Sequence, residues 1–348
     1  MRNLTGLQSM AKVACGILML AACGLALAHV KWFFDYDIMA QPQGPEQVFS
    51  SPMWRILFVA AMFAMGGMAV LDTWLLQHPN PFLRLSNALQ SFAWPRVMLI
   101  LRLGFALQLL LMALDEHVVY LTPELAAPAW VRWLQLACVL LILSRRTAWL
   151  VGVVVLGLYG AAIPHYGWFH LLDYPFFISV GVALLLSGSP ERKHAAHVLL
   201  LLRLGMAFTL LAGGAEKFAY PQWYLPTLAQ HSFLAMGVQP ELAMVIFGFS
   251  ELALGFALLF FEIGSQVTAA LVFLAMAAAV PLFGWTDLVG HGGFFVVLAL
   301  LTIARHTPPL KLHSPLQHVA LLACLFPISI FVSYSGYVFL HTLFVSWL

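Results

Sequence analysis

The chain has 348 residues, of which 62% are hydrophobic and 9% are charged, and its formal net charge is +2. Soluble domains are about a quarter charged, so this composition excludes a soluble enzyme, a secreted disulfide scaffold and a disordered chain. The small net charge gives no argument for a nucleic-acid partner. Long unbroken apolar runs predict an all-α, polytopic membrane protein with the lipid bilayer as its partner, rather than a β-barrel.

A helix that crosses about 30 Å of hydrocarbon needs about 20 apolar residues. The sequence contains eleven runs that approach or exceed this length. In chain order, the predicted spans are 11–30, 54–76, 96–114, 129–143, 148–166, 169–187, 196–215, 239–262, 265–283, 289–304 and 316–345.

The first predicted span carries two sequences that resemble signal-peptide cleavage sites. Residues 20–23 read Leu-Ala-Ala-Cys, and residues 26–28 read Ala-Leu-Ala. Small residues are also common in membrane helices, so we expect a retained helix.

The four cysteines form no Cys-x-x-Cys and no Cys-x-x-Cys-His. The histidines cluster near helix ends, so the sequence shows no haem signature.

Basic residues predict the orientation, because Lys and Arg concentrate in cytoplasmic loops. With a cytoplasmic N-terminus and an outer C-terminus, ten Lys and Arg fall on the inner side and four on the outer side. The outer four are Lys31, Arg55, Arg132 and Lys217. We therefore expect a multi-pass protein of a bacterial-type inner (plasma) membrane.

Landmarks of the third to sixth spans return in the seventh to tenth. Residues 99–104 read Leu-Ile-Leu-Arg-Leu-Gly, and 200–205 read Leu-Leu-Leu-Arg-Leu-Gly. A Pro-x-x-Gly-Trp sequence occurs at 164–168 and again at 281–285. Since four helices return the chain to its starting side, both copies share one orientation, and we predict two parallel four-helix repeats plus three extra helices. The predicted units are 1–95, 96–190, 191–310 and 311–348.

The second unit, about 196–305, resembles the DoxX-like family of small four-helix membrane proteins. The likeness rests on Arg-Leu-Gly at 203–205, Gly-Gly-Ala-Glu-Lys-Phe at 213–218, Pro-Glu-Leu at 240–242 and Ser-Glu-Leu at 250–252. The first unit, about 96–187, looks like a degenerate copy that lacks the Lys and the intramembrane Glu. The family includes a membrane subunit linked to thiosulfate oxidation and quinone reduction, so the resemblance implies a fold and a link to quinones.

The expected catalytic group lies in the second unit. Glu251 is deep in its span, where an ionised carboxylate without a partner costs several kcal/mol. Arg203, in the preceding span, is the expected partner, and the pair is a structural lock, a proton relay or the polar head of a quinone-sized pocket. Glu216 and Lys217 end the seventh span. They point about 100° apart, so they act as interfacial anchors or as ligand-facing groups at a cavity mouth.

Residues at the outer helix ends are the expected metal and cofactor ligands. Carboxylates and imidazoles bind Zn, Fe, Mn and Cu. The metal candidates are His165, His170, Asp173, Asp287 and His291, with Asp35 and Asp37 as weaker ones. We assign cofactor binding to Arg102, the counterpart of Arg203, and to Trp168 and Trp285, which also suit an aromatic belt.

Two functions remain open from the sequence. One is a redox-linked, quinone-interacting membrane subunit, with its polar site on the outer face and a soluble or membrane redox partner; if it is an enzyme, it is part of a quinone-linked oxidoreductase. The other is a non-catalytic transporter, receptor or assembly factor for a small molecule or metal. Parallel repeats and intramembrane charges suit this alternative.

Overall fold

A computed structural model describes residues 32, 36–187, 192–235, 237–305, 310 and 314–347. These residues are almost all helical, and within them β-pairing is limited to one isolated bridge between Val119 and Ala126. The predicted span 11–30, its cleavage-like sequences and Asp35 lie outside the described residues. The all-α fold is confirmed. The α-helices are α1 (Pro45–Ser50), α2 (Pro52–Gln77), α3 (Pro81–Ala93), α4 (Val97–Leu114), α5 (Trp130–Leu143), α6 (Ala148–Tyr166), α7 (Pro175–Leu186), α8 (Arg192–Ala219), α9 (Pro221–Gln230), α10 (Pro240–Phe260), α11 (Ile263–Ile303) and α12 (Pro315–Val345).

The long helices of the bundle are apolar enough to cross a bilayer. Seven helical segments of the described chain meet that description, and α5 and α7 are apolar but shorter. Large apolar side chains such as Phe63 and Leu140 are 79% and 73% exposed. Exposure of such side chains to water is unfavourable, whereas contact with lipid acyl chains is not. The chain is therefore a multi-pass membrane protein.

Helix α11 is two antiparallel arms. Its 41 residues would extend about 61 Å as one rod, about twice the thickness of the hydrocarbon. Gly284, with φ of 73°, breaks it. Gln266 in the first arm donates to the carbonyl oxygen of Thr302 in the second at 3.0 Å. The arms correspond to the two predicted spans 265–283 and 289–304.

Gly167, which ends α6, has a similar positive φ of 81°. Both glycines belong to the Pro-x-x-Gly-Trp landmarks. Residues other than glycine rarely adopt a positive φ, because their Cβ collides with the backbone. Helix α4 packs on α5, α5 on α6 and α6 on α7, while α8 packs on α10 and α10 on α11. The division into repeated units stays a prediction.

Three short elements depart from the predicted spans. Helix α3 precedes α4, and α9 follows α8. The predicted span 169–187 is helical as α7 only from Pro175, because a 3-10 turn at His170–Asp173 comes first. Proline suits the first turn of a helix, where its missing N–H costs nothing, and so it sets the start of α7.

Candidate functional site

A segment that we call the strap, residues 36–43, covers one end of the bundle. The backbone N–H of Gln43 donates to the carbonyl oxygen of Ala219 at the end of α8 at 2.8 Å. The hydroxyl of Tyr334 on α12 donates to the carbonyl oxygen of Gln43 at 2.5 Å. These bonds tie the strap to two spans, and we call this end of the bundle the strap end.

A buried ion pair lies below the strap end. Lys217 Nζ is 2.7 Å from Glu251 Oε2, and the two side chains are 0% and 1% exposed. Lys217 Nζ also lies 4.4 Å from the centre of the Tyr224 ring, a cation–π contact. A Cβ on Gly213 would lie 2.9 Å from Glu251 Oε2, so the glycine leaves room for the carboxylate. Two spans, α8 and α10, thus present one compact charge pair.

The predicted pairing of Arg203 with Glu251 is wrong. Arg203 donates to the backbone carbonyl oxygens of Leu258 and Phe261, at the far end of α10. It lies 14 residues before Lys217, about 21 Å along α8. Because α8 and α10 are antiparallel, Lys217 comes level with Glu251, and Arg203 comes level with the carbonyl groups that end α10.

Glu216 turns away from the pair and binds two phenols. Its carboxylate accepts from Tyr224 at 2.9 Å and from Tyr337 at 2.8 Å. The Tyr337 hydroxyl is also 3.5 Å from Asp173 Oδ1. Burial, followed by the charges of Glu216, Glu251 and Asp173, raises the pKa of Tyr224 well above its usual value, which keeps it a hydrogen-bond donor. The adjacent Glu216 and Lys217 thus have different partners, as their helical positions predict.

A cavity of about 220 Å³ at the strap end reaches this site. Its lining includes Lys217 and Trp54, with Gln47 and Glu241 among its polar residues. Within the part of the chain that the structure describes, Glu251 Oε1 and the indole Nε1 of Trp54 have no hydrogen-bond partner. Trp54 is 4% exposed. A buried donor and a buried acceptor without partners are costly unless a ligand or water completes them.

The sequence missed Trp54 as a site residue. A tryptophan near the first turn of a span is typical of the interfacial belt, which requires no ligand. Its inward direction depends on α2 packing against α10, and Trp54 and Phe249 are 5.2 Å apart between ring centres. The hydrophobic periodicity of α2 does not predict that contact, because the contact depends on a second helix.

The predicted metal ligands form no single centre. Across the described ranges, no group of three or more His, Cys, Asp or Glu could hold a metal ion. His165 stacks on Tyr120, His170 lies 3.0 Å from Glu124, Asp173 meets Tyr337, and His291 Nδ1 lies 3.1 Å from Asp287. Asp287 and His291 thus lie together, as their spacing predicts, whereas His165, His170 and Asp173 contact other side chains, so the five residues do not form one centre.

The residues expected to bind a cofactor are also dispersed. Arg102 lies 3.4 Å from the carbonyl oxygens of Met98 and Leu143. Trp168 packs on Phe344, with ring centres 5.6 Å apart, and Trp285 is 46% exposed. None of these three residues lines the Lys217 cavity.

No family model, no curated protein and no solved structure matches the chain. The geometry around Lys217 therefore carries the functional argument.

Proposed function

We propose that the chain is a redox-linked membrane subunit that binds a quinone-type amphiphile at the Lys217–Glu251 pair. The proposal is carried by a cavity that Lys217 of the buried ion pair lines, together with an unused donor on Trp54 of the same lining and an unused acceptor on Glu251, the partner of Lys217. Trp54 Nε1 is the donor and Glu251 Oε1 the acceptor, each without a partner among the described residues. A quinone carbonyl accepts hydrogen bonds, and a quinol hydroxyl donates one.

The charges near the cavity favour a neutral headgroup over an anionic one. Lys217 is already paired with Glu251, and Glu241 lines the same cavity. Glu216 lies one residue before Lys217 and is 2% exposed. These carboxylates would repel a phosphate or carboxylate headgroup, and the low dielectric constant of the buried site would strengthen that repulsion. A quinone ring is uncharged, so the carboxylates do not repel it.

The pair can also move protons. Oxidation of a quinol to a quinone releases two protons and two electrons; Glu251 Oε1 accepts one hydroxyl proton, and the second proton leaves to water through the cavity at the strap end. The electrons pass to a soluble or membrane redox partner, and the reverse step draws them from it. The resemblance to the DoxX-like family supports this assignment, because Lys217 and Glu251 both fall in the segments that carry it.

Charge asymmetry supports the orientation. Four arginines lie at the end of the bundle opposite the strap. Two of them are between α2 and α4 (Arg84 and Arg96), one is between α5 and α6 (Arg145), and one follows α11 (Arg305). By the positive-inside rule that end is cytoplasmic. The strap end then faces the non-cytoplasmic side of a bacterial-type plasma membrane, with the C-terminus on the same side.

Binding of a decyl benzoquinol, whose hydroxyl groups can donate to Glu251, to purified protein in lipid nanodiscs kept under reducing conditions tests the proposal. Glu251→Gln should weaken binding by about tenfold to a hundredfold, because a hydrogen bond to a charged group contributes about 1.5–3 kcal/mol. Glu116→Gln is the matched control, since Glu116 is an exposed acid away from the cavity. Failure of the wild type to bind, or equal binding by Glu251→Gln, would overturn the proposal.

A further inference from the structure

We infer that the groove between α2 and α10 holds the apolar tail of the same amphiphile, which enters sideways from the bilayer. The inference rests on the proposed function and deepens it by naming the ligand class: a ring headgroup with a hydrocarbon chain.

The groove is a cavity of about 190 Å³ within the membrane-spanning part of the bundle. Its lining residues recur every fourth position, which places them on one face of each helix. They include Ala60, Ala64 and Met68 on α2, and Phe249, Ala253 and Ala257 on α10. Each trio spans about 12 Å along its helix.

The lining chemistry suits a hydrocarbon chain. Among the residues that the structure describes, no charged one lines the groove, and Ser250 and Thr268 are its polar members. Alanines leave open the volume that larger side chains would fill where two helices pack. Ala60 is exposed and Ala64 is partly exposed, so this side of the groove is open to the surrounding lipid.

The groove lies next to the polar cavity along both helices. Trp54 and Val245 line the Lys217 cavity, whereas Leu57 and Ile246 line the groove. On α2 these lining residues are less than one turn apart, and on α10 they are adjacent in the sequence. Phe249 of the groove and Trp54 of the cavity are in ring contact, with ring centres 5.2 Å apart, so these two rings lie between the two cavities.

Two buried polar atoms beside the Lys217 cavity point to a ligand headgroup there. Trp54 lines that cavity, and Glu251 is the ion-pair partner of Lys217, which lines it too; neither Trp54 Nε1 nor Glu251 Oε1 has a hydrogen-bond partner in the described segments. A free phospholipid chain in the groove would leave both atoms unused. A molecule with a ring in the Lys217 cavity and a tail in the groove uses both cavities at once.

Two probes with one headgroup test the inference: 2,3-dimethoxy-5-methyl-1,4-benzoquinol, kept reduced, with a decyl chain and without it. Wild-type protein in nanodiscs should bind the decyl probe more tightly. Ala64→Phe should weaken binding of the decyl probe by about tenfold, because the phenyl ring excludes part of the chain from the groove, and should leave binding of the tail-less probe unchanged. Val70→Phe, which introduces the same side chain on α2 outside the groove, should change neither affinity.

Ala60→Phe provides a second variant at the exposed rim of the groove, where packing between α2 and α10 is less disturbed. Full decyl affinity in both groove variants would overturn the tail assignment alone. Equal wild-type affinity for the two probes would also overturn it and would favour a lipid acyl chain as the occupant. Wild-type binding of neither probe would instead overturn the proposed function.

Discussion

Replacing the two members of the Lys217–Glu251 pair, singly and together, separates a structural lock from a ligand site. Lys217→Met leaves the Glu251 carboxylate buried without its counter-ion, and Glu251→Gln leaves the Lys217 ammonium in the same position. Each side chain is at most 1% exposed and the two atoms are 2.7 Å apart, so water cannot take over the lost contact. Breaking such a pair costs about 3–5 kcal/mol.

The double variant removes both charges and nearly preserves volume. Replacement of a buried ion pair by neutral groups is often neutral or stabilising, so we expect an unfolding free energy within about 1 kcal/mol of wild type. Since each single variant costs at least about 3 kcal/mol, the expected coupling energy in the double-mutant cycle is at least about 5 kcal/mol. Unfolding in mixed micelles of increasing SDS content measures the stability of all four proteins.

Quinone binding to the same four proteins gives the second readout. All three variants should bind the decyl probe weakly, including the double variant with restored stability. A double variant that is stable and binds like wild type would show that the pair is structural only. A single variant that costs less than about 1 kcal/mol would contradict the buried, charged state of the pair.

Two further variants test the fold and the corrected pairing. Gly284→Ala should cost about 1–3 kcal/mol of unfolding free energy, because φ is 73° and no neighbouring atom lies within 4 Å of an added Cβ, so the cost is backbone strain. Gly66→Ala, in the open interior of α2, is the control and should be neutral or stabilising; equal effects of the two would contradict the strained turn. Arg203→Met should destabilise by about 1–3 kcal/mol, because the carbonyl groups that end α10 lose their donor, while decyl-probe affinity stays unchanged. Weaker binding at unchanged stability would place Arg203 in the ligand site instead.

The spans were predictable because lipid requires a continuous apolar run of fixed length. The prediction for 148–166 matches Ala148–Tyr166, and that for 54–76 lies within Pro52–Gln77. The reversal of α11 was also predictable, since two runs separated by Pro-x-x-Gly-Trp are together too long for one crossing. The short α9 was not predicted, because it has neither the length nor the period of a span.

The partner of Glu251 was not predictable from the sequence. Arg203 and Lys217 lie on the same helix, and the choice between them depends on the axial register of α8 against α10. That register is set by close contacts such as Gly214 against the Gly248 carbonyl oxygen, where an added Cβ would lie at 2.8 Å. The same limit explains why the expected metal ligands, which share one end of the bundle, do not share one site.

Photolabelling with an azidoquinone in its reduced, quinol form tests most directly whether the Lys217–Glu251 pair contacts a quinol headgroup. After illumination in nanodiscs, peptide mass spectrometry locates the label. Our account predicts label on residues of the cavity wall, Trp54 or Met244 and Val245, and its loss in Glu251→Gln. Label confined to lipid-facing residues such as Phe63 and Leu140, with no effect of Glu251→Gln, would contradict it.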